Sequence, residues 1–258
     1  MEVILAIVFF LLGTIIGSFL NVVILRYNTG RSFGGRSACM VCERSLSGKE
    51  LIPILSFIYL RGRCLACETK LSLQYPLVEL ITGLIFAGLF LKLQNVFFTG
   101  NSLHFAGIYA YYALLFSLLV VIAVYDLKHK IIPDLLVFVF GVFAFLGIFI
   151  MAPAGLWEIL SGPIAGAPFA LLWLLSGGRW MGLGDAKLAV GLGWLLGLSG
   201  VANAFLLAVW TGAFLGILLL IFSKKYGARS EIPFAPFLVL GTIISFFCNL
   251  NLISVFRL

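Results

Sequence analysis

The amino-acid sequence predicts an all-α polytopic membrane protein with about eight transmembrane helices and a small zinc-ribbon-like loop domain. Three observations predict this. Of 258 residues, 62% are hydrophobic and 10% charged, whereas soluble domains hold roughly 45–50% apolar and about 25% charged residues. Apolar runs long enough to cross a hydrocarbon core of ~30 Å recur along the whole chain. The basic residues gather in a few loops between those runs.

Apolar runs bounded by charge, Gly and Pro place spans at about 3–25, 76–92, 106–125, 135–152, 158–176, 187–199, 201–222 and 234–254. The first lacks the basic leader and small-residue cleavage site of a signal peptide and is read as a retained span. The sixth is short of the ~20 residues a full crossing needs, so it is expected to be tilted, broken or fused with the seventh. The expected organisation is a region 1–92, holding the first two spans and the loop 26–75, and a membrane-embedded bundle over 106–258.

With eight spans, loops 26–75, 126–134, 177–187 and 223–233 share one side. They carry 15 of the 17 basic residues, Arg31, Lys224, Lys225 and Arg229 among them, leaving Lys92 and Arg257 opposite. Positive loops stay in the cytoplasm, so these four are expected inside and both termini outside, in a multi-pass protein of the bacterial inner membrane. This topology and contact with anionic lipid account for the net charge of +7. No nucleic-acid partner is expected.

Cys39 and Cys42, then Cys64 and Cys67, form two CxxC pairs 21 residues apart in one loop. Each pair turns two thiolates toward one ion, and together they complete a tetrahedral shell with no open position, the pattern of structural zinc. A loop of this size has too little apolar content for its own core, so metal would supply much of its folding free energy. Two disulfides or four unligated thiols are the alternatives, and a reducing cytoplasm argues against the disulfides.

Asp126, Asp134 and Asp185 are the three aspartates of the chain, and all lie at the expected cytoplasmic ends of spans. A carboxyl near hydrocarbon is costly and is usually retained where it faces a polar cavity and does work. Asp134 follows Pro133 at the start of a span, where a helix-start carboxylate explains it. Asp126 closes a span, where the dipole disfavours a negative group; its bland reading is a surface ion pair with Lys128 or Lys130. Asp185 stands in Gly182-Leu183-Gly184-Asp185-Ala186-Lys187, whose glycines permit close approach of a second chain. Two carboxyls sharing a partly desolvated site cannot both ionise easily, and such a pair can activate water against a peptide carbonyl.

Gly17 to Ile24 with Arg26, the CxxC pairs, Tyr75 to Gly83, Asp126, Ile132-Pro133-Asp134 and Gly182 to Lys187 together resemble the type IV prepilin peptidases, bifunctional leader peptidases and N-methyltransferases among the GxGD intramembrane aspartic proteases. The resemblance implies that Asp126 and Asp185 are the catalytic pair, with Gly182, Gly184, Lys187, Pro133 and Asp134 supporting the motif. It implies prepilins and type II secretion pseudopilins as substrates, cut after a short basic leader at the cytoplasmic face. It also implies S-adenosylmethionine-dependent methylation of the new N-terminus, which it links to the four-cysteine loop. Gly62 and Arg63, beside Cys64, and Glu79 are candidates for methyl transfer; a helix-start carboxylate and topology-setting arginines are their ordinary readings. No GxGxxG identifies a local methyl-donor site.

Two other classes fit some of these residues. A transporter could bind cations or relay protons at Asp126 and Asp185, although the aspartates sit at one face instead of the midplane. An inactive scaffold could recruit partners through the cysteine loop.

Overall fold

The computed structural model describes residues 1–30, 32–151, 155–222 and 232–248. Arg31, Lys224, Lys225, Arg229 and Arg257 of the charge count, and the end of the last expected span, lie outside the described residues. The described residues form α1 (Glu2–Arg26), α2 (Leu55–Tyr59), α3 (Gln74–Thr99), α4 (Ser102–His129), α5 (Asp134–Met151), α6 (Leu156–Ser176), α7 (Leu183–Phe222) and α8 (Ala235–Cys248), with isolated β-bridges and no strands. The chain divides into two compact units, Met1–Val121 and Ile122–Leu258.

In the first unit, α1 packs on α3 through small residues: a side chain at Gly13 or Gly17 would collide with Thr82, Gly83 and Phe86 or with Glu79. Lipid tails are as apolar as leucine, so such close fit, more than burial, holds membrane helices together. Phe9 stacks on Phe90 at 4.8 Å, and the buried Tyr109 donates its hydroxyl to the Phe86 carbonyl at 3.0 Å. Val3, Ile4, Ile7, Val8, Leu11 and Ile15 remain exposed, which suits a lipid-facing side of α1. Between α1 and α3, a 3₁₀ turn (Gly48–Leu51) is closed by Ser47 and Glu50 in a reciprocal capping box. The short α2 follows it.

In the second unit, α7 packs on α5, α6 and α8. It is 40 residues long, and at ~1.5 Å per residue a straight helix would run about 60 Å, twice the hydrocarbon core. Gly197 breaks it, with φ 69° and ψ 176°, a conformation that side chains rarely adopt. Contacts along α6 give the consequence. Gly162 lies against Trp194, Gly166 against Ala186 and Val190, and Phe169 against Phe205. The chain therefore reverses at Gly197, and the two halves of α7 are the sixth and seventh spans.

Counting those halves separately, the described residues supply eight apolar crossings: α1, α3, α4, α5, α6, the two arms of α7, and α8. Four helices, α1, α3, α4 and α6, are long and apolar enough to cross as they stand, α7 is so only when its two arms are counted as one, and α5 and α8 are shorter apolar helices. The sixth span, residues 183–196, is roughly 20 Å long at ~1.5 Å per residue, short of the ~30 Å core, as expected from its sequence. Gly191 and Gly193 permit close packing against Phe140 and the Ser161 carbonyl, whereas Gly212 and Gly216 have room for a methyl group.

Candidate active site and four-cysteine centre

The loop joining α4 to α5 builds one side of the aspartate site. Lys130 adopts φ 55° and donates its N–H to the Asp126 carbonyl at 2.7 Å, a left-handed cap that ends α4. The chain then passes through Ile132 and the buried Pro133 to Asp134, the first residue of α5. Ile132 lies directly on Gly184, where an added Cβ would stand 2.8 Å from the Ile132 Cβ. At Gly182 the nearest atom to such a Cβ is 3.9 Å away, so Gly184 is the position that the close approach requires.

This packing brings Asp126 and Asp185 into one buried site. Asp126 is 4% exposed and Asp185 7%, and their carboxyls are within electrostatic reach of each other. The backbone N–H of Ala235, the first residue of α8, lies close to the Asp126 carboxyl. Asp185 lies in the first turn of α7, where exposed N–H groups favour a negative group. Asp185 Oδ1 is buried and takes no hydrogen bond from the protein. Buried polar atoms are nearly always paired, so this oxygen calls for a partner from outside the protein, such as water.

Asp134 differs sharply from this pair. Its side chain is 72% exposed, and it forms an ion pair with Lys187 Nζ at 2.7 Å that ties the start of α5 to the first turns of α7. Lys187 thus links the two motif segments. Lys128 and Lys130 are exposed while Asp126 is buried, so a surface ion pair does not describe Asp126. Ala235 is the contact that sequence reasoning missed. Pro236 directly after it is a helix-start signal, but nothing in the sequence aims that start at Asp126.

The four cysteines converge. All four Sγ atoms lie within 4.8 Å of one another, and Cys39 and Cys67 are 3.8 Å apart. The two CxxC segments fold alike. Cys39 N–H donates to Arg44 and Glu43 N–H to Cys39, as Cys64 N–H donates to Thr69 and Glu68 N–H to Cys64. Glu43 and Glu68 both take positive φ, and each segment closes on an isolated bridge, Ala38 with Ser45 and Arg63 with Lys70. The Thr69 hydroxyl and N–H, with the thiols of Cys42 and Cys64, hold the Cys67 thiol down at about 6. For Cys42 the pull of the Arg44 N–H is outweighed by desolvation and by Cys39, Cys67 and Cys64, which push it up to about 11. Four thiols crowd one point, and a cation at that point is what would let all of them ionise. The donor set fits a metal ion.

Of the methyl-transfer candidates, Glu79 is buried, and its Oε2 accepts the Ile54 N–H at 2.7 Å. Gly62 has φ 65° and lies under Phe57, whose Cζ would be 3.0 Å from an added Cβ. Arg63 is exposed.

Comparison with known proteins now bears on this site. Residues 11–93 match the family model described as the bacterial peptidase A24 N-terminal domain, and residues 113–217 match the type IV leader peptidase family. The chain is 32% identical over 251 residues to the prepilin leader peptidase/N-methyltransferase of Bacillus subtilis, covering 96% of each protein. The chain belongs to the type IV leader peptidase family. Relatives with the same name in this family include that of Aeromonas hydrophila, 33% identical over 90% of this chain and 87% of the relative. That of Myxococcus xanthus is 35% identical over 88% and 66%. No solved structure matches. Both segments of the aspartate site, 126–134 and 182–187, fall inside the leader peptidase match, and the four cysteines inside the amino-terminal one. The transporter reading finds no support in this family.

Proposed function

We propose that this protein is a membrane-embedded aspartic endopeptidase that removes the short basic leader of type IV prepilins or type II secretion pseudopilins, and that it then N-methylates the new amino terminus. The observation that carries the peptidase is the buried pair Asp126 and Asp185, with one Asp185 oxygen left unpartnered beside it. The relatives' shared name supports both activities.

Hydrolysis needs a base and an acid at one peptide bond. The ionised member of the pair takes a proton from water as that water attacks the scissile carbonyl carbon. The protonated member donates to the carbonyl oxygen, and collapse of the tetrahedral species expels the amine, which takes up a proton. Burial sharpens this division, because two adjacent carboxylates in low dielectric repel strongly. Gly184 and Ile132 hold the segments bearing the pair together, and Lys187 with Asp134 fastens them from the surface.

The site is proposed to face the cytoplasm. The basic loops set that orientation, and a basic leader stays on the same side while its apolar helix enters the bilayer. The four-cysteine centre is proposed to hold structural zinc through Cys39, Cys42, Cys64 and Cys67. Sulfurs about 3.8 Å apart span a tetrahedron with Zn–S of about 2.3 Å, and Cys39 to Cys67 is 3.8 Å. S-adenosylmethionine is the proposed methyl donor; when bound it supplies an electrophilic methyl to the amine lone pair, the amine losing a proton and the sulfur leaving as a neutral thioether.

The test mixes purified protein with a prepilin and follows the product by mass spectrometry. Loss of the leader is expected, followed with S-adenosylmethionine by the mass gain of one methyl replacing hydrogen. An intact prepilin after prolonged incubation would sink the peptidase reading.

A further inference from the structure

We propose that α2 and the turn before it form an interfacial anchor: their exposed apolar face docks on the anionic bilayer surface at which α1 ends and α3 begins, with Lys49, Arg61 and Arg63 against the lipid headgroups.

The ten residues from Leu51 to Leu60 carry no charge and, apart from Ser56 and the Tyr59 hydroxyl, no polar side chain. An apolar run of that length is too short to cross a bilayer; it is buried in protein or lies in a membrane interface. Burial in the protein accounts for one face only. Ser56, Phe57 and Leu60 line a cavity between α1, α3 and the four-cysteine segment. Leu55, Ile58 and Tyr59, at the i, i+3, i+4 spacing of one helix face, are 64%, 65% and 84% exposed, and Leu51 and Ile52 ahead of them are exposed too. Neither face of this helix is polar, so the outer one is not made for water.

The segment is held at the depth of the bilayer surface. Ile54, at the start of α2, donates its N–H to Glu79 Oε2 at 2.7 Å, and Glu79 lies in the second turn of α3. Beyond α2, Leu71, just ahead of α3, donates its N–H to the Gly62 carbonyl at 2.7 Å. With 26 residues at ~1.5 Å each, α3 runs about 39 Å, longer than the ~30 Å core, so its ends reach the headgroup layers. Both ends of α2 are thus tied to chain that enters the membrane. Ile54 takes φ 61° and ψ −51°, a strained conformation for a β-branched residue, and this sharp turn sets the direction in which α2 leaves α3.

Charge selects the occupant. Lys49 precedes the apolar run and Arg61 and Arg63 follow it; all three are exposed, and neither ion pair found among the described residues includes them. Basic residues flanking an exposed apolar face, with a Tyr near its end, are the make-up of an interfacial segment on anionic lipid. An apolar protein partner would cover Ile58 and Tyr59 but leave the three cations without counter-charge. So docked, the four-cysteine segment lies where a substrate helix in the bilayer presents its amino terminus; the docking itself needs neither proposed activity.

The test places full-length wild-type protein in nanodiscs of equal parts phosphatidylglycerol and phosphatidylcholine. One of the two lipids carries a photoactivated diazirine near the top of its acyl chain, and the labelled peptides are mapped by mass spectrometry. Label is expected on residues 51–60 as well as on α1 and α3. Relative to those spans, label on 51–60 should be at least about threefold stronger from phosphatidylglycerol than from phosphatidylcholine. Label on the spans but not on 51–60, or equal label there from the two lipids, overturns the proposal, and this map needs no variant. With p-benzoylphenylalanine in place of Tyr59, the principal photoadduct should be a phospholipid. An adduct to a second copy, to residues 122–258 or to added prepilin identifies another occupant and overturns the proposal as well. Arg61→Gln combined with Arg63→Gln should remove most of the preference for phosphatidylglycerol while α1 and α3 label as before; a preference kept in full overturns the assigned headgroup contacts.

Discussion

The backbone N–H of Ala235, in the first turn of α8, lies close to the carboxyl of Asp126. A residue proposed for chemistry therefore also has a structural task, and substitutions can separate the two. Asp126→Asn keeps an oxygen for that N–H; it should abolish prepilin cleavage while leaving the melting temperature near wild type. Asp126→Ala should abolish cleavage and also lower stability, because it removes the polar group that the Ala235 N–H faces. Cleavage by mass spectrometry and thermal unfolding in detergent check this. Normal processing by Asp126→Asn would remove the residue from the catalytic pair.

Asp185 and Asp134 should separate as cleanly. Asp185 is buried with an unpartnered oxygen, whereas Asp134 is exposed and paired with Lys187. Asp185→Asn is expected to abolish cleavage. An exposed ion pair is worth about 0–1 kcal/mol, so Asp134→Asn and Lys187→Met should each lower the rate less than about tenfold. Rates for the three variants, measured side by side, check the ranking; equal loss in all three would contradict it.

The glycines of the motif divide in the same way. A methyl at position 184 meets the Ile132 Cβ at 2.8 Å, while one at 182 meets nothing nearer than 3.9 Å. Overpacking costs typically about 1–3 kcal/mol. Gly184→Ala should therefore depress cleavage at least tenfold, and Gly182→Ala much less. The two initial rates decide it.

Much of this arrangement was legible in the sequence. Apolar run lengths gave the spans, and the shortness of residues 187–199 already signalled an irregular sixth span. Gly197, as one glycine among 28, did not announce the reversal; a positive φ is a property of the fold, and many glycines never use it. The CxxC spacing gave the cysteine cluster because ligand geometry is local. Asp126 and Asp185 stood out because carboxyls near hydrocarbon are rare, yet their approach depends on Ile132 packing on Gly184, a tertiary contact. Asp126 with Ala235 and Lys187 with Asp134 are likewise long-range, and no local pattern encodes them.

Topology can be tested without activity. The basic loops predict residues 26–75 inside and the turn between α3 and α4 outside. In a cysteine-free background, a membrane-impermeant maleimide added to intact cells should miss Ser47→Cys and label Asn101→Cys. The reverse pattern would invert the orientation.

The last prediction is that the two activities separate at the metal. Cys39 and Cys42 lie in the first unit and the two buried aspartates in the second. The cysteine segment has few buried apolar residues of its own, so the bound ion carries much of its folding free energy. Replacing Cys39 and Cys42 with Ser removes half of the ligands and should release the ion and loosen that segment. The spans satisfy their own backbone groups in the bilayer and should survive. Methylation of a pre-cleaved pilin should then fall further than cleavage, with some loss of cleavage if the segment helps to hold the leader. Elemental analysis should find about one zinc per wild-type chain, the capacity of a single four-thiolate shell, and much less in the double variant. A wild-type protein purified without chelators that contains no metal, or a double variant that loses cleavage yet keeps full methylation, would remove the basis for this division.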